Sequence, residues 1–375
     1  MSRVLKRWLK AGLTVALVAI ALLGGTGMYH TPPAAASLLI AGLPAGDAIT
    51  DGKALLRYSL PIDNESVRKM QEEIEAIATP LRISRRRLTA VNSNLSKVER
   101  ILSGKRAELL ASVPGDRQPQ AEALLDQIQD SLQQIHAAVD SQDKEVVWTQ
   151  RAVVLDRIGQ LEALMVTEFP FEVPEAYANL PQLKGRAVIE FTTNKGTILA
   201  EVDGYSAPVT AGNFVDLVER GFYDGLEFIR AEDFYILQTG DPPGKADGFI
   251  DPKTNEYRAI PLEVLVEGDD SPIYGITLEE AGRYLDQPVL PFSAYGAMAM
   301  ARPGNDANGG SSQFFFFLFE PELTPAGSNL LDGRYAVFGY VTEGNDVLEK
   351  LKQGDRIESA KVIRGGENLV QPAAA

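Results

Sequence analysis

From Val67 to Leu109 an apolar residue returns at every seventh position: Val67, Ile74, Leu81, Leu88, Leu95, Leu102 and Leu109. Met70, Ile77, Val91 and Val98 fill the intermediate positions, whereas Ser84 and Lys105 do not. Seven residues make about two helical turns, so this recurrence is a seam along helix that must be buried against something. Asp63 or Asn64 is placed to cap the first helix, with Glu72, Glu73 and Glu75 early in it. Pro80 predicts a kink or break near Ala78. The seam can zip to a second copy, or it can be one arm of an intramolecular bundle. Further helical segments downstream favour the bundle, because they need something to pack on. Val113-Pro114-Gly115-Asp116 is a turn, and Ala121, Leu124, Leu125, Ile128, Leu132 and Ile135 then mark one helical face. Val154, Ile158, Leu161 and Met165 mark another, in a helix that begins near Val146. Helices joined by short turns make an up-and-down bundle. Trp148 is expected in or beside it and His136 on a helix surface. Arg85-Arg86-Arg87 reads as a solvated face or an interaction patch.

The period then changes. Phe169-Pro170-Phe171-Glu172-Val173-Pro174 ends the helical region, and with Pro181-Gln182-Leu183 it reads as a semi-rigid linker whose apolar residues suggest packed domains. Ala187–Phe191 and Thr197–Val202 are strand-like, joined by a turn at Asn194-Lys195-Gly196. Thr210 to Asp241 reads as a short amphipathic helix, a Gly-Phe-Tyr-Asp-Gly turn and a strand carrying Arg230 between Phe228 and Tyr235. Further β-branched and aromatic segments fit a closed barrel, which removes exposed sheet edges. Leu278–Leu285 is expected to form an extra helix within a long insertion, Pro242 to Pro291.

The N-terminus has the three-part layout of a cleavable export signal: Arg3, Lys6, Arg7 and Lys10, then an apolar run over Ala11–Leu23, then Ala34-Ala35-Ala36. The run is short for a spanning helix, although an uncleaved anchor is the alternative. Residues 37–63 read as an extended arm, interrupted by Gly42, Pro44, Gly46 and Gly52. The formal net charge of −15 becomes −19 once the four cations of residues 1–36 are removed. Such a chain repels nucleic acid and anionic membrane. There is no cysteine, which excludes thiol catalysis and Cys-based metal sites. His136 is the one histidine beyond the signal, so neither the usual metal site nor a Ser–His–acid set can be assembled. No P-loop or dinucleotide fingerprint appears. No metal and no cofactor is expected.

Six short motifs, in order, resemble the cyclophilin signature: the Asn213-Phe214 helix, the Gly221–Gly225 turn, Phe228-x-Arg230, Gln238-x-Gly240-Asp241, Ser312-Gln313-Phe314-Phe315, and Asp332-Gly333 running to Val337-Phe338-Gly339. The resemblance covers roughly Gly185 to Gly365. With the helical region and export signal, the layout is similar to the thylakoid-lumen multidomain cyclophilins of cyanobacteria and chloroplasts. The implied architecture is α + β and multidomain: an export signal over 1–36, the arm over 37–63, a helical bundle over 64–168, a proline-rich linker over 169–184, and over 185–375 a closed antiparallel β-barrel capped by two helices.

The implied activity is peptidyl-prolyl cis-trans isomerisation, which needs no nucleophile, metal or general base. Rotation about an X–Pro amide faces a barrier of roughly 20 kcal/mol. In the twisted transition state the prolyl nitrogen becomes pyramidal and basic, and a donor there stabilises that state over the planar one. Arginine suits the task because it is always charged and its fork is rigid. By position in the motifs Arg230 is that donor and Gln313 holds substrate backbone beside it. Tyr235, Ile236, Phe315 and Leu331 match the proline pocket, Tyr335 its polar edge, and Gln238 another groove glutamine. Ala299 and Met300 match the strand that pairs with the peptide. Leu330 stands where cyclosporin-sensitive members carry tryptophan. Ile229, Tyr235, Met300 and Tyr335 are further departures, in place of histidine, phenylalanine, asparagine and histidine. The catalytic pair is kept in changed surroundings, so two functions stand: an isomerase of an extracytoplasmic compartment, or a peptide-binding assembly factor with weak or no turnover. The resemblance implies the thylakoid lumen, with the periplasm as alternative. It implies proline-containing clients, photosystem II subunits among them, and a protein phosphatase as a further partner. The helical and cyclophilin-like domains are expected to touch: the bundle packs on the back of the barrel and leaves the groove open, or it, or the Ser37–Pro61 arm, covers the groove around Arg230 and Gln313, and the substituted pocket favours partial cover.

Overall fold

The computed structural model describes residues 49–82, 88–232, 235–319 and 329–372. The candidate export signal, the first part of the arm and the Arg85-Arg86-Arg87 cluster lie outside the described residues.

Within the stretch expected to be extended, Gly52–Tyr58 is a helix, α1. The Asp51 carboxylate caps it, accepting from the Lys53 N–H at 2.9 Å, and Leu55 and Leu56 are buried. Gly52 does not break this helix because it begins it. The bundle comes next: α2 (Glu65–Ala76), α3 (Ala78–Arg82), α4 (Asn92–Gly104), α5 (Arg106–Ala111), α6 (Gln118–Asp140) and α7 (Lys144–Met165). Asn64 caps α2 through the Val67 N–H at 2.9 Å. The break ahead of Pro80 falls between α2 and α3, in line with the missing N–H and ring clash of proline.

Every seam residue from Val67 to Leu109 is buried, in one apolar cluster with Leu125, Ile128, Leu132 and Ile135 of α6 and Val154, Ile158 and Leu161 of α7. The seam is therefore satisfied inside the chain. Trp148 is not in that core: it is 42% exposed, with the Arg151 guanidinium 5.3 Å over its ring. His136 bonds Glu99 across α6 and α4 at 2.9 Å.

The second region is an eight-stranded antiparallel sheet. Its strands are β2 (Arg186–Thr193), β3 (Gly196–Asp203), β4 (Arg230–Glu232), β5 (Ile236–Thr239), β8 (Ala297–Met300), β9 (Phe314–Phe317), β10 (Val337–Glu343) and β11 (Ile357–Arg364). Two small pairs lie apart: β1 (Gln182–Leu183) with β12 (Leu369–Val370), and β6 (Glu263–Val264) with β7 (Ile273–Tyr274). The order in the large sheet is β11-β2-β3-β10-β8-β9-β5-β4. The sheet curls until its edges meet. The Phe228 N–H donates to the Asp355 carbonyl at 2.8 Å, and the Ile357 N–H to the Leu226 carbonyl at 2.9 Å. Pairing across the seam leaves those edge groups satisfied.

Helix α8 (Pro208–Glu219) caps the curl, with Val209, Phe214 and Val218 in its apolar interior. The carboxylate of Glu263 accepts from the Val209 and Thr210 N–H groups at 3.3 and 2.9 Å, at the helix N-terminus. The second capping helix, α9 (Asn345–Leu348), is a single turn. Leu278–Leu285 is not a helix. One turn forms, closed by the Ala281 N–H to the Thr277 carbonyl at 2.9 Å. Gly282 then takes φ 73°, and the Arg283 N–H returns to the Leu278 carbonyl. A left-handed glycine closed in this way ends a helix.

Alternation gives the sheet two faces. One packs inward, with Phe191, Leu237, Met298, Met300, Phe314 and Phe316 in the main core. The other carries Ile236, Ala297, Ala299, Phe315, Phe317, Val337 and Tyr340, and α1 adds Leu55 and Leu56 to it. Helix α1 is fixed from both sides at its C-terminal end. From the sheet, Arg186 donates to the Leu56 carbonyl, to Ser59 Oγ at 2.9 Å and to Asp203 at 3.1 Å. From the bundle, Arg68 donates to the Arg57 and Leu60 carbonyls at 2.7 and 2.8 Å. Cations satisfy free carbonyls where the helix dipole is negative.

Candidate active site

Arg230 opens β4, opposite Gln238 on β5, and Gln238 stands opposite Phe315 on β9. Phe315 is opposite Ala299 on β8, which is opposite Val337 on β10. Directly opposed residues share a face, so this row crosses the outer face of the sheet from Arg230 to α1's side. A second row runs parallel to it through Glu232, Ile236, Phe317, Ala297 and Tyr340. The expected pocket residues Ile236, Phe315, Leu331, Tyr235 and Tyr335 belong to one apolar cluster on this face. The Phe315 and Tyr335 rings meet edge to face at 5.5 Å, and Tyr235 meets Phe317 in the same way at 5.8 Å.

The loop that supplies Leu331 and Tyr335 is held by Asp332. Its carboxylate accepts from the Phe292 N–H at 2.8 Å and the Asn329 N–H at 3.2 Å. Burial pushes this carboxyl up to about 6. Gly333, at φ 71°, lets Leu278 of the insertion pack against the loop; a Cβ at Gly333 would lie 2.6 Å from Leu278. The insertion therefore supports the pocket wall from behind. Leu330 is turned outward and is 84% exposed.

Not every expected residue faces the groove. Met300 is 4% exposed and its side chain lies in the inward core. Its N–H donates to the Ala336 carbonyl at 3.0 Å. The period of two puts Ala299, not Met300, on the groove face.

Three polar residues form the floor. Gln238 Nε2 donates to Gln313 Oε1 at 2.7 Å. Gln313 Nε2 donates to Asp241 Oδ1 at 3.1 Å and to the Asp247 carbonyl at 2.9 Å. Both amide hydrogens of Gln313 are thus engaged within the protein. The Arg230 side chain is 56% exposed and is paired with Glu232. Glu232 was not among the expected site residues. Its signal was nonetheless present, since residues two apart on a strand share a face. Arg302 was missed as well: its guanidinium lies 5.3 Å over the Tyr335 ring and donates to the Arg334 carbonyl at 3.0 and 2.8 Å.

A curled antiparallel sheet with an arginine and two glutamines beside an aromatic cluster, preceded by a helical bundle, defines a class that known proteins also show. The family model for "Cyclophilin type peptidyl-prolyl cis-trans isomerase/CLD" matches residues 188–366. That for "Peptidyl-prolyl cis-trans isomerase CYP38-like, PsbQ-like domain" matches residues 51–166. A Synechocystis sp. protein described as a thylakoid lumen peptidyl-prolyl cis-trans isomerase is 58% identical over 333 residues, which is 89% of this chain and 87% of that one. The chloroplastic peptidyl-prolyl cis-trans isomerase CYP38 of Arabidopsis thaliana is 44% identical over 375 residues, 97% of this chain and 85% of its own length. The chloroplastic CYP37 of the same plant is 33% identical over 344 residues, 86% of this chain and 71% of its own length. The chain belongs to the cyclophilin-type peptidyl-prolyl cis-trans isomerase family. Within it, the chain falls with the thylakoid-lumen members that carry a PsbQ-like helical domain ahead of the cyclophilin domain.

Proposed function

We propose that a prolyl segment lies across the row Arg230–Gln238–Phe315–Ala299, with its ring against Phe315, Ile236, Leu331 and Tyr335 and its nitrogen facing Arg230. The observation that carries this reading is the shared face: Arg230 and an aromatic cluster lie on one side of the sheet. Arg230 acts by donating an N–H to the prolyl nitrogen as that nitrogen pyramidalises. The groove excludes little water there, so catalysis depends on the placement of the donor and the ring. Gln313 and Gln238 order the floor, and Gln313 reaches substrate backbone by exchanging a bond to Asp241 or Asp247. Leu330 lies at the outer rim, and Met300 contributes through its backbone and by filling the core beneath Ala299. Residues 185–375 form the catalytic domain and 64–168 the bundle, with α1 as the clasp between them.

The clients are proline-containing polypeptides of the lumen. The family resemblance directs this reading to photosystem II subunits, with a protein phosphatase as a second partner. The engagement of both Gln313 amide hydrogens favours a second reading, in which the groove holds peptide with slow turnover. Exchange spectroscopy on a prolyl peptide separates the two. If Arg230 is the donor, Arg230→Ala lowers kcat/KM by about a hundredfold, the usual range for one transition-state donor, and leaves the fold intact. Equal rates for the two proteins reject Arg230. Saturable binding with no exchange in either protein selects the peptide-holding function.

A further inference from the structure

Arg230 and Glu232 both stand on the groove face of β4. Arg230 Nε donates to Glu232 Oε1 at 2.8 Å, and Nη2 donates to the same oxygen. Across the strand pair Glu232 is opposite Ile236, a wall of the prolyl pocket. The carboxylate thus holds the candidate donor from the same face, at the register of Ile236. The Tyr235 hydroxyl registers this placement. Burial raises its pKa, Glu232 and Tyr335 raise it further, and Arg230 lowers it. More negative charge lies along the same floor. Burial and the neighbouring Asp247 raise the Asp241 carboxyl, which Gln313 partly offsets. Arg302, which lies over the Tyr335 ring, is occupied with carbonyls.

A guanidinium already bonded to a carboxylate offers a weaker field to a developing lone pair than a free one. A second cation brought into the groove competes for that carboxylate. We propose that Glu232 gates Arg230, and that the site therefore prefers prolyl segments with a lysine or arginine beside the proline. The basic residue takes over Glu232 and leaves the Arg230 fork free for the prolyl nitrogen. An acidic residue at the same place finds Glu232, Asp241 and Asp247 against it. Glu232 is on this account a positioning residue that also sets specificity. The inference rests on Arg230 being the donor.

The pair is half exposed, with side-chain exposures of 56% and 44%. Pairs of this kind are worth up to about 1 kcal/mol, so the gate is worth up to about fivefold in rate. The test uses the full chain and blocked tetrapeptides that differ only in the residue before proline: lysine, alanine or glutamate. Wild type is expected to favour lysine over alanine by about threefold to fivefold at low salt, with glutamate slowest. The preference shrinks at about 0.5 M salt, where charges are screened within a few ångströms. Glu232→Gln is expected to turn over the alanine peptide about threefold to fivefold faster and to lose both the lysine preference and its salt dependence. A merely structural glutamate would not change the ranking of peptides. The same peptides titrated for binding give the ranking where turnover is slow. A lysine preference that survives in Glu232→Gln, or no preference in wild type, overturns the gate. Full activity in Arg230→Ala overturns the donor assignment instead, and the two failures are distinct.

Discussion

Gly52 lies against Tyr340. A Cβ at Gly52 would stand 2.8 Å from the Tyr340 Cβ and 3.1 Å from Cγ. Tyr340 in turn is fully buried, and its hydroxyl donates to the Pro291 carbonyl at 2.8 Å. Helix α1 thus approaches β10 as closely as a helix without a side chain at that position allows. Through Leu55 and Leu56 it covers the Tyr340–Ala297 end of the face whose other end holds the candidate site. Among the described residues, the contacts of α1 lie at this end of the face and Arg230 is half exposed.

Gly52→Val should therefore weaken the clasp. The added atoms must displace the Tyr340 ring or lift α1, and overpacking of this kind costs about 1–3 kcal/mol. Denaturation with two probes, one in the bundle and one in the sheet, should show lower stability for the variant and cleavage by protease near α1. Unchanged stability and protection would mean that α1 docks without close contact at Gly52.

The legible parts of this fold are those with many repeats of one period. The seam from Val67 to Leu109 repeats often enough to identify its helices, and Pro80 marked the break. Helix α1 spans too few residues to show a period, and its leading glycine reads as a breaker until Tyr340 supplies the reason for it. Leu278–Leu285 carries helical residue types, but the left-handed Gly282 overrides them. In the candidate site, motif order singled out Arg230, Gln238, Gln313 and residues of the outer apolar cluster, whereas register separates neighbours: Ala299 lies in the outer cluster and Met300 in the inward core. The Asp241–Gln313–Asp247 contact joins a strand end to an insertion loop, and no spacing in the sequence encodes that.

Glu263 makes stability depend on pH. Burial raises its carboxyl from 4.5 to about 7, against the lowering by the Thr210 and Val209 N–H groups. Since the folded value is the higher one, its contribution is fully present below about 4.5 and is lost as pH rises through about 7. At about 1.4 kcal/mol for each unit, the loss is on the order of 3 kcal/mol. Buried Glu162, raised to about 7 mainly by desolvation, adds a slope of the same sign. Denaturant titrations at several pH values between 5 and 8 should show Glu263→Gln with a flatter profile than wild type and lower stability at the acid end. There the amide can accept from only one of the two helix N–H groups without presenting its own hydrogens to the other. Parallel profiles would show that Glu263 does not take up a proton in this range.

The last expectation concerns Leu330 and a large cyclic ligand. It projects from the loop fixed by Asp332, with 84% of its surface exposed, while its neighbour Leu331 turns into the pocket. In cyclosporin-sensitive relatives an indole at the corresponding position supplies both apolar area and an N–H donor. Leu330 offers part of the area and no donor, so the wild-type protein is expected to bind cyclosporin weakly. Leu330→Trp should tighten binding by about tenfold, a gain of about 1.4 kcal/mol. The folded state should tolerate the change, because this side chain is 84% exposed. Isothermal titration with cyclosporin reads the effect directly, and Leu330→Phe separates area from donor: it should recover part of the gain and not all of it. Tight binding by wild type, or equal affinity for all three proteins, would mean that position 330 does not reach the ligand and that another part of the rim decides.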